Sequence, residues 1–363
     1  MKNGHSATSA SIVRLRPNPP ADVSADLIFD DETLKRLSAL QTQCENSLNG
    51  PLVDAHSHHF NTPGKMIRAQ LAYQSARVHS ASMADADRWG FAVELIHNAS
   101  LIHDDICDSD LLRRGQQSVM AKFGHQTALC LGDALIAHAF GLLCRESIPK
   151  AVIAKLASMV RDCSGGQAQE FDARDYPNWS KYCDIAVGKT SSLLAGAVEG
   201  GTLFDPAVGE NPLLSRCCHQ LALVYQILND TGNVFASIHS KIPSSDYAMV
   251  RPNALIVLFR ESLNIEERKD FDRAMGENSF DNTDRAMPVK RLWWDRLVNS
   301  DIGSTLEGRV TSIMSETYSG YEQLPPAFQH IISPLLSHAN KAVAKQDFAV
   351  ETPPKLYPKK QNG

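Results

Sequence analysis

Apolar residues recur at helical spacing in one segment after another of this chain, and stretches that alternate at period two are scarce. That pattern argues against a sheet-based fold and predicts an all-α protein. The periodicity places helices at 30–47, 65–80, 84–107, 117–122, 126–146, 150–172, 179–200, 211–236, 246–263, 265–275, 284–295, 303–319 and 325–345. Turn residues such as Gly50-Pro51, Pro63-Gly64 and Asp205-Pro206 fall between them. The 363 residues, 43% of them hydrophobic, suffice for one substantial core. The expected organisation is a single helical domain over 26–348, with about a dozen helices around a central bundle. Polar, Pro-rich extensions at 1–25 and 349–363 are expected to be disordered.

The charge balance narrows the function. A net charge of −5 gives no global reason to expect nucleic acid. The eight cysteines contain no C-x-x-C pair, and Cys217-Cys218 are adjacent, so reduced thiols in a cytoplasmic setting are expected. The N-terminus is too polar for a secretory signal. The most membrane-like stretch, Ala128 to Cys144, is short and interrupted by Asp133 and His138. It is read as a buried core helix, so no transmembrane segment is expected.

One helix carries an anomaly. The apolar pattern running from about Phe91 ends in Asp104-Asp105-Ile106-Cys107-Asp108. Asp104 and Asp108 are four residues apart and share a face, with Asp105 beside them. An acidic run on a helix is usually a solvated face, but Ile96, Leu101, Ile102 and Ile106 mark this helix as buried. Buried carboxylates need a cation. Hard Mg²⁺ takes one or two carboxylates and completes its shell with water and phosphate oxygens. Arg113-Arg114-Gly115 follows, with forked donors that match phosphate. Together these describe a diphosphate site.

Further polar groups interrupt the helical pattern. Lys65 and Arg68 share a face in Gly64-Lys65-Met66-Ile67-Arg68, and His97 lies two helical turns before Asp104 on the same face. Gly165-Gly166-Gln167-Ala168-Gln169-Glu170 and Gly188-Lys189-Thr190 each break an apolar helix. Tyr225-Gln226-Ile227-Leu228-Asn229-Asp230-Thr231-Gly232-Asn233 puts Asn229 and Asn233 on one face, and Lys241, Asp246 and Arg251 follow.

With these residues the chain resembles the trans-isoprenyl diphosphate synthases (polyprenyl synthases) over roughly 30–345. The D-D-x-x-D-x-x-x-x-R-R-G frame, G-K-x-x-R upstream, the His-x5-His-Asp-Asp spacing and the downstream K-T pair carry the likeness. The resemblance implies the all-α isoprenoid synthase fold, helices around a central cavity, and usually a homodimer. It implies that Asp104 and Asp108 bind Mg²⁺ with Asp105 in support, and that Arg113, Lys189 and Lys241 grip an allylic diphosphate, with Arg251 following. Lys65, Arg68, His97 and Arg114 would hold isopentenyl diphosphate, and the oxygens of Thr190 and Gln226 would face a developing carbocation. Physics accords with these roles. Breaking an allylic C–O bond releases diphosphate, whose charge the cations stabilise. An apolar cavity keeps water from the carbocation while the second substrate's double bond attacks.

The chain departs from the family's second D-D-x-x-D motif, which here reads Asn229-Asp230-Thr231-Gly232-Asn233. An amide oxygen can ligate Mg²⁺ without contributing charge, so a third metal at Asn229, Asp230 and Asn233 should be held more weakly. In the later G-K-x-x-G-x-D-x-x-x-G-K frame the last pair is Val250-Arg251, and Pro252 follows. Two other readings compete with a working prenyltransferase. A class I terpene cyclase would want Ser or Thr four residues after its Asn and Glu eight after, whereas Asn233 and Ser237 stand here. A non-catalytic partner subunit would not need intact Asp104, Asp105 and Asp108. A cyclase, using a single diphosphate, would not need Lys65, Arg68, His97 and Arg114 together. Prenyl transfer is therefore favoured. Ala99 and Ser100, five and four residues before the first Asp motif, are small and point to a geranylgeranyl or longer product. Finally, Asp54-Ala55-His56-Ser57-His58-His59 imitates a metal-binding D-x-H-x-H motif, but without strands around it a polar loop is expected.

Overall fold

The structure, a computed structural model, describes residues 29–62, 64–171, 176–240, 247, 250–276 and 286–346. The extensions at 1–25 and 349–363, Lys241 and Asp246 lie outside the described residues. The described residues are mostly helical, as the periodicity predicts. The elements are α1 Asp31–Asn46, α2 Pro51–Phe60, α3 Ile67–Val78, α4 Met83–Asp108, α5 Val119–Phe123, α6 His125–Leu143, α7 Lys150–Phe171, α8 Trp179–Ala186, α9 Ser192–Thr202, α10 Pro212–Ser240, α11 Ala254–Ser262, α12 Ile265–Gly276, α13 Ala286–Val298, α14 Ile302–Gln323 and α15 Pro326–Lys345. Local signals start them where they start. Asp30, Ser82, Ser118, Asn178 and Asn253 each accept a hydrogen bond from a backbone N–H of the first turn, which would otherwise lack a partner.

The centre is α4. Every residue from Gly90 to Ile96 is buried, because α3, α6 and α9 cover it on several sides. One apolar cluster joins α4 to α2, α3, α6 and α7 through Trp89, Leu95, Ile102, Leu131 and Leu156. A second joins α8 through α15 through Leu221, Val224, Phe259, Trp294 and Ile331. The polar residues described next lie where the two clusters meet.

Several local expectations are corrected, among them the helix over 246–263, which begins only at Ala254. Residues 54–59 are not a loop but part of α2, which begins with Pro51 at its first turn. His56 and His59, three apart, turn inward, and His59 Nε2 pairs with Asn98 Oδ1 of α4 at 2.9 Å. His58 Nε2 meets the Gln117 carbonyl at 2.8 Å, so these histidines fasten α2 to its neighbours. Helix α3 begins at Ile67 rather than 65, since Met66 adopts left-handed backbone at φ 51°. The segment expected as one helix over 179–200 is broken by a π-helical turn, Val187–Ser191. The segment before α5 is a short antiparallel hairpin, β1 Leu112–Arg113 with β2 Gln116–Gln117. Its two-residue turn, Arg114-Gly115, has φ 53° and 80°, which glycine at the second position makes accessible. Lastly, α6 is long and apolar enough to cross a membrane, yet it packs on α4 and is not wholly buried as expected: Cys130, Asp133, Ala137 and Gly141 form an exposed stripe.

Candidate active site

A cavity of about 1010 Å³ opens between the two apolar clusters. It is lined by α3, α4, the hairpin, α6, α7, the π turn, α9, α10 and the segment before α11. Of the residues the sequence singled out, Asp104, Asp108, Arg68, His97, Arg113, Arg114, Lys189, Thr190, Gln226, Asn229, Asp230, Asn233 and Arg251 line it together.

The acidic wall is the C-terminal turn of α4. Helical rotation turns Asp104 and Asp108 into the cavity and Asp105 into the protein, where it is 1% exposed. Arg113 Nε donates to Asp105 Oδ1 at 2.9 Å, so Asp105 positions the hairpin rather than facing the cavity. Burial raises the Asp104 pKa to about 6; Asp108 and Glu170 add to the shift and Lys189 opposes it. Burial likewise raises Asp108, against the pull of Arg251. The negative end of the α4 dipole also disfavours these charges. Glu170 of α7 completes the wall, and Lys189 Nζ bridges it, 2.8 Å from Glu170 Oε2 and 3.7 Å from Asp104 Oδ1. Among the described residues no three ligating groups enclose a metal by themselves. Mg²⁺ bound with water and phosphate needs only one or two carboxylates, and this desolvated oxygen set fits it.

The π turn shapes the next wall. It bulges between α8 and α9 and aims Lys189 and Thr190 inward, with Gly166 of α7 packed against its backbone. Thr190 Oγ1 donates to Gln226 Oε1 at 3.0 Å, and Gln226 Nε2 donates to Asp230 Oδ1 at 2.7 Å. Asp230 Oδ2 accepts from Tyr182 Oη at 2.7 Å and from the Ala254 amide at 3.0 Å. Both oxygens of the second motif's sole carboxylate are thus held by protein donors. Asn229 and Asn233 are exposed toward the cavity.

Arg251 closes that side. Its Nη2 donates to the Asp108 carbonyl at 2.7 Å, and its guanidinium lies 3.5 Å from Asp108 Oδ1 and 3.7 Å from Asp110 Oδ1. Two helical turns before Asp104 on α4, His97 marks a cationic corner. Arg68 Nη1 lies 3.3 Å from His97 Nε2, while the buried Arg68 Nε has no hydrogen-bond partner among the described residues. Burial, then Arg68 and Arg114, hold His97 well below its ordinary pKa, so it is neutral and can accept from Arg68. Arg114 Nη1 donates to the Thr62 carbonyl at 2.9 Å. Beneath them Glu94 is buried and bound to Asn98 at 3.1 Å; burial raises its pKa and Arg68 pulls it back. Lys65 does not join this corner: it precedes α3, is exposed, and does not line the cavity.

Sequence reasoning missed three carboxylates. Glu170 was signalled by the polar interruption in α7, and Glu94 by its place in the most apolar part of α4. Asp110 carried no such signal. The apolar part of the cavity is lined by Ser100, Leu101, Ile106, Leu129 and Leu193. Ser100 thus reaches it, whereas Ala99 is 1% exposed and packed in the core.

Comparisons with known proteins give the family and the fold. The polyprenyl synthetase family model matches residues 50–290. The chain is 30% identical over 240 residues to the short chain isoprenyl diphosphate synthase of Methanothermobacter thermautotrophicus, covering 62% of this chain and 72% of that protein. It is 29% identical over 239 residues to the geranylgeranyl diphosphate synthase of Sulfolobus acidocaldarius, covering 63% and 72%. The crystal structure of heptaprenyl diphosphate synthase from Staphylococcus aureus matches with a TM-score of 0.71 at 20% identity, over 88% of this chain and 99% of that one. That likeness shows the fold, the all-α isoprenoid synthase fold.

Proposed function

The chain belongs to the polyprenyl synthetase family and is a prenyltransferase that elongates isoprenoid chains; on that premise we propose that it condenses an allylic diphosphate with isopentenyl diphosphate in a Mg²⁺-dependent reaction. One observation carries the reading. A single cavity holds a carboxylate wall and, apart from it, the cationic corner of Arg68, His97 and Arg114, as two diphosphates would require.

The residues divide the work. Asp104 and Asp108, with Glu170 near, would hold Mg²⁺ against the allylic diphosphate. When bound, the metal would supply electrostatic stabilisation of the leaving group. Lys189 shifts from the carboxylates to phosphate oxygens, and Arg113 and Arg251 add donors. Thr190 and Gln226, oriented through Asp230, present oxygen lone pairs to the allylic cation. Arg68 Nε, without a partner among the described residues, is a ready donor for the second diphosphate. The leaving diphosphate then takes the proton lost after the new C–C bond forms. Ser100 leaves the apolar end of the cavity open, which supports a product of geranylgeranyl length or longer. The exposed stripe of α6 supports a homodimer, and eight unpaired thiols support a cytoplasmic setting.

The test is incubation of the purified protein with Mg²⁺ and farnesyl diphosphate, with and without isopentenyl diphosphate, read by mass spectrometry. An elongated diphosphate appearing only with both substrates is expected. A hydrocarbon or terpene alcohol from farnesyl diphosphate alone would replace this reading with a cyclase.

A further inference from the structure

Resting on the prenyl-transfer reading, we propose that this chain holds its diphosphate with metal on one wall only: Arg251, not a further metal ion, neutralises the phosphate on the α10 side, and Asp230 is a fastener of helices rather than a metal ligand.

The donor set of the second motif does not fit a divalent ion. A hard cation without charged ligands is weakly held, and carboxylates supply that charge. Two of the three positions are the amides Asn229 and Asn233. The third, Asp230, is 3% exposed, and its oxygens accept from Tyr182 of α8, from Gln226 of its own helix and from the first amide of α11. Asn253 Nδ2 also donates to the Asp230 carbonyl at 3.2 Å. Taking this carboxylate for a metal would strand a buried tyrosine hydroxyl and a helix N-terminal amide, each costly to leave unpaired.

A cation of another kind already stands at this wall. Arg251 is 15% exposed, faces the same cavity, and reaches the first Asp motif from the opposite side. Its backbone is tied by Tyr176 Oη, which donates to the Arg251 carbonyl at 2.7 Å. A guanidinium is always charged, needs no carboxylate ligands and binds phosphate oxygens in pairs. Its guanidinium lies against Asp108 and Asp110, from which the phosphate oxygens of a bound diphosphate would draw it. With amides at Asn229 and Asn233 and both Asp230 oxygens committed to protein donors, Arg251 is a cation this wall can offer to phosphate without carboxylate ligands.

The test counts metal directly. Mn²⁺ uptake is measured by equilibrium dialysis with saturating inorganic pyrophosphate, for the wild-type chain, Asn229→Asp/Asn233→Asp and Asp230→Asn. The expected outcome is one more Mn²⁺ per chain in the double variant than in wild type, and a wild-type count in Asp230→Asn with a lowered Tm. Tyr182→Phe, which removes one fastening donor, should also lower Tm and keep the count; it stands in if Asp230→Asn does not fold. Arg251→Ala should weaken pyrophosphate binding by about tenfold or more, the loss of a charged hydrogen bond. An unchanged count in the double variant overturns the proposal, as does metal lost from Asp230→Asn but kept in Tyr182→Phe. If wild type takes up no Mn²⁺ with pyrophosphate and Asp104→Asn does not differ from it, the prenyl-transfer reading falls as well, a distinguishable result.

Discussion

Adjacent glycines in α7 should respond to alanine with opposite sign. A Cβ built on Gly166 would lie 2.5 Å from the Lys189 amide nitrogen, 2.6 Å from the Gly188 carbonyl carbon and 3.0 Å from Lys189 Cα. These are backbone atoms of the π turn and cannot swing aside. Reaching the 3.4 Å where ordinary contact begins requires a retreat of roughly 0.9 Å. Overpacking of this kind costs about 1–3 kcal/mol, against about 1 kcal/mol gained from alanine's helix propensity. On Gly165 the added methyl meets nothing within 4 Å, so only the propensity gain remains. Gly165→Ala is expected to raise Tm slightly, and Gly166→Ala to fall below it by about 1–3 kcal/mol in urea unfolding. Activity should separate them further. Lys189 and Thr190 ride on the displaced turn, and a shift near 1 Å in a catalytic group costs on the order of 100-fold in rate. The assay is kcat/KM for chain elongation beside the two unfolding curves. If Gly166→Ala matches Gly165→Ala in both, the turn does not rest on that glycine and the reasoning fails.

Two predictions follow from the cavity walls. The Asp104 pKa is raised from 3.8 to about 6, so in the metal-free protein the native state binds the proton more tightly and stability falls as pH rises through that window. A divalent cation relieves the charge left above it, so Mg²⁺ should raise Tm more at pH 7 than at pH 5; an equal rise at both would refute the assignment. Ser100→Phe should shorten the product, because Ser100 lines the cavity, whereas Ala99→Phe should lower Tm by overpacking the core by about 1–3 kcal/mol and leave chain length to follow only from that damage. Product analysis of the two variants decides between them.

The sequence made the helices legible because their apolar spacing is regular, and it made the first Asp motif legible because charge in an apolar helix has few explanations. Asp104, Asp108, Arg68 and His97 lie in one cavity because α3 and α4 bring their polar faces to it. Other features depend on tertiary partners that no local pattern reveals. His59 turns inward because Asn98 is across from it, 39 residues away in sequence. Lys65 misses the cavity because Met66 delays the helix. The commitment of Asp230 to Tyr182 and α11 joins groups 48 and 24 residues apart, so a motif that reads as a metal arm is folded as a clasp.

The backbone beside Arg251 supports a built orientation for that side chain. Val250 has φ 58°, in the left-handed region that a β-branched residue enters only when its surroundings impose it. Its amide donates to the Tyr247 carbonyl at 3.3 Å, and its side chain packs against the second apolar cluster. The left-handed conformation costs a residue with a Cβ about 1–2 kcal/mol, and glycine nothing. Truncation separates this strain from the packing. Val250→Ala removes the apolar contacts and keeps the strain; Val250→Gly removes both. In ordinary helical backbone glycine would be the less stable of the two by about 0.5–1 kcal/mol. At Val250 the order should reverse, with glycine more stable than alanine by about 1 kcal/mol in urea unfolding. Glycine that unfolds before alanine would show that the segment relaxes to an unstrained backbone, and the fixed aim of Arg251 would lose its support.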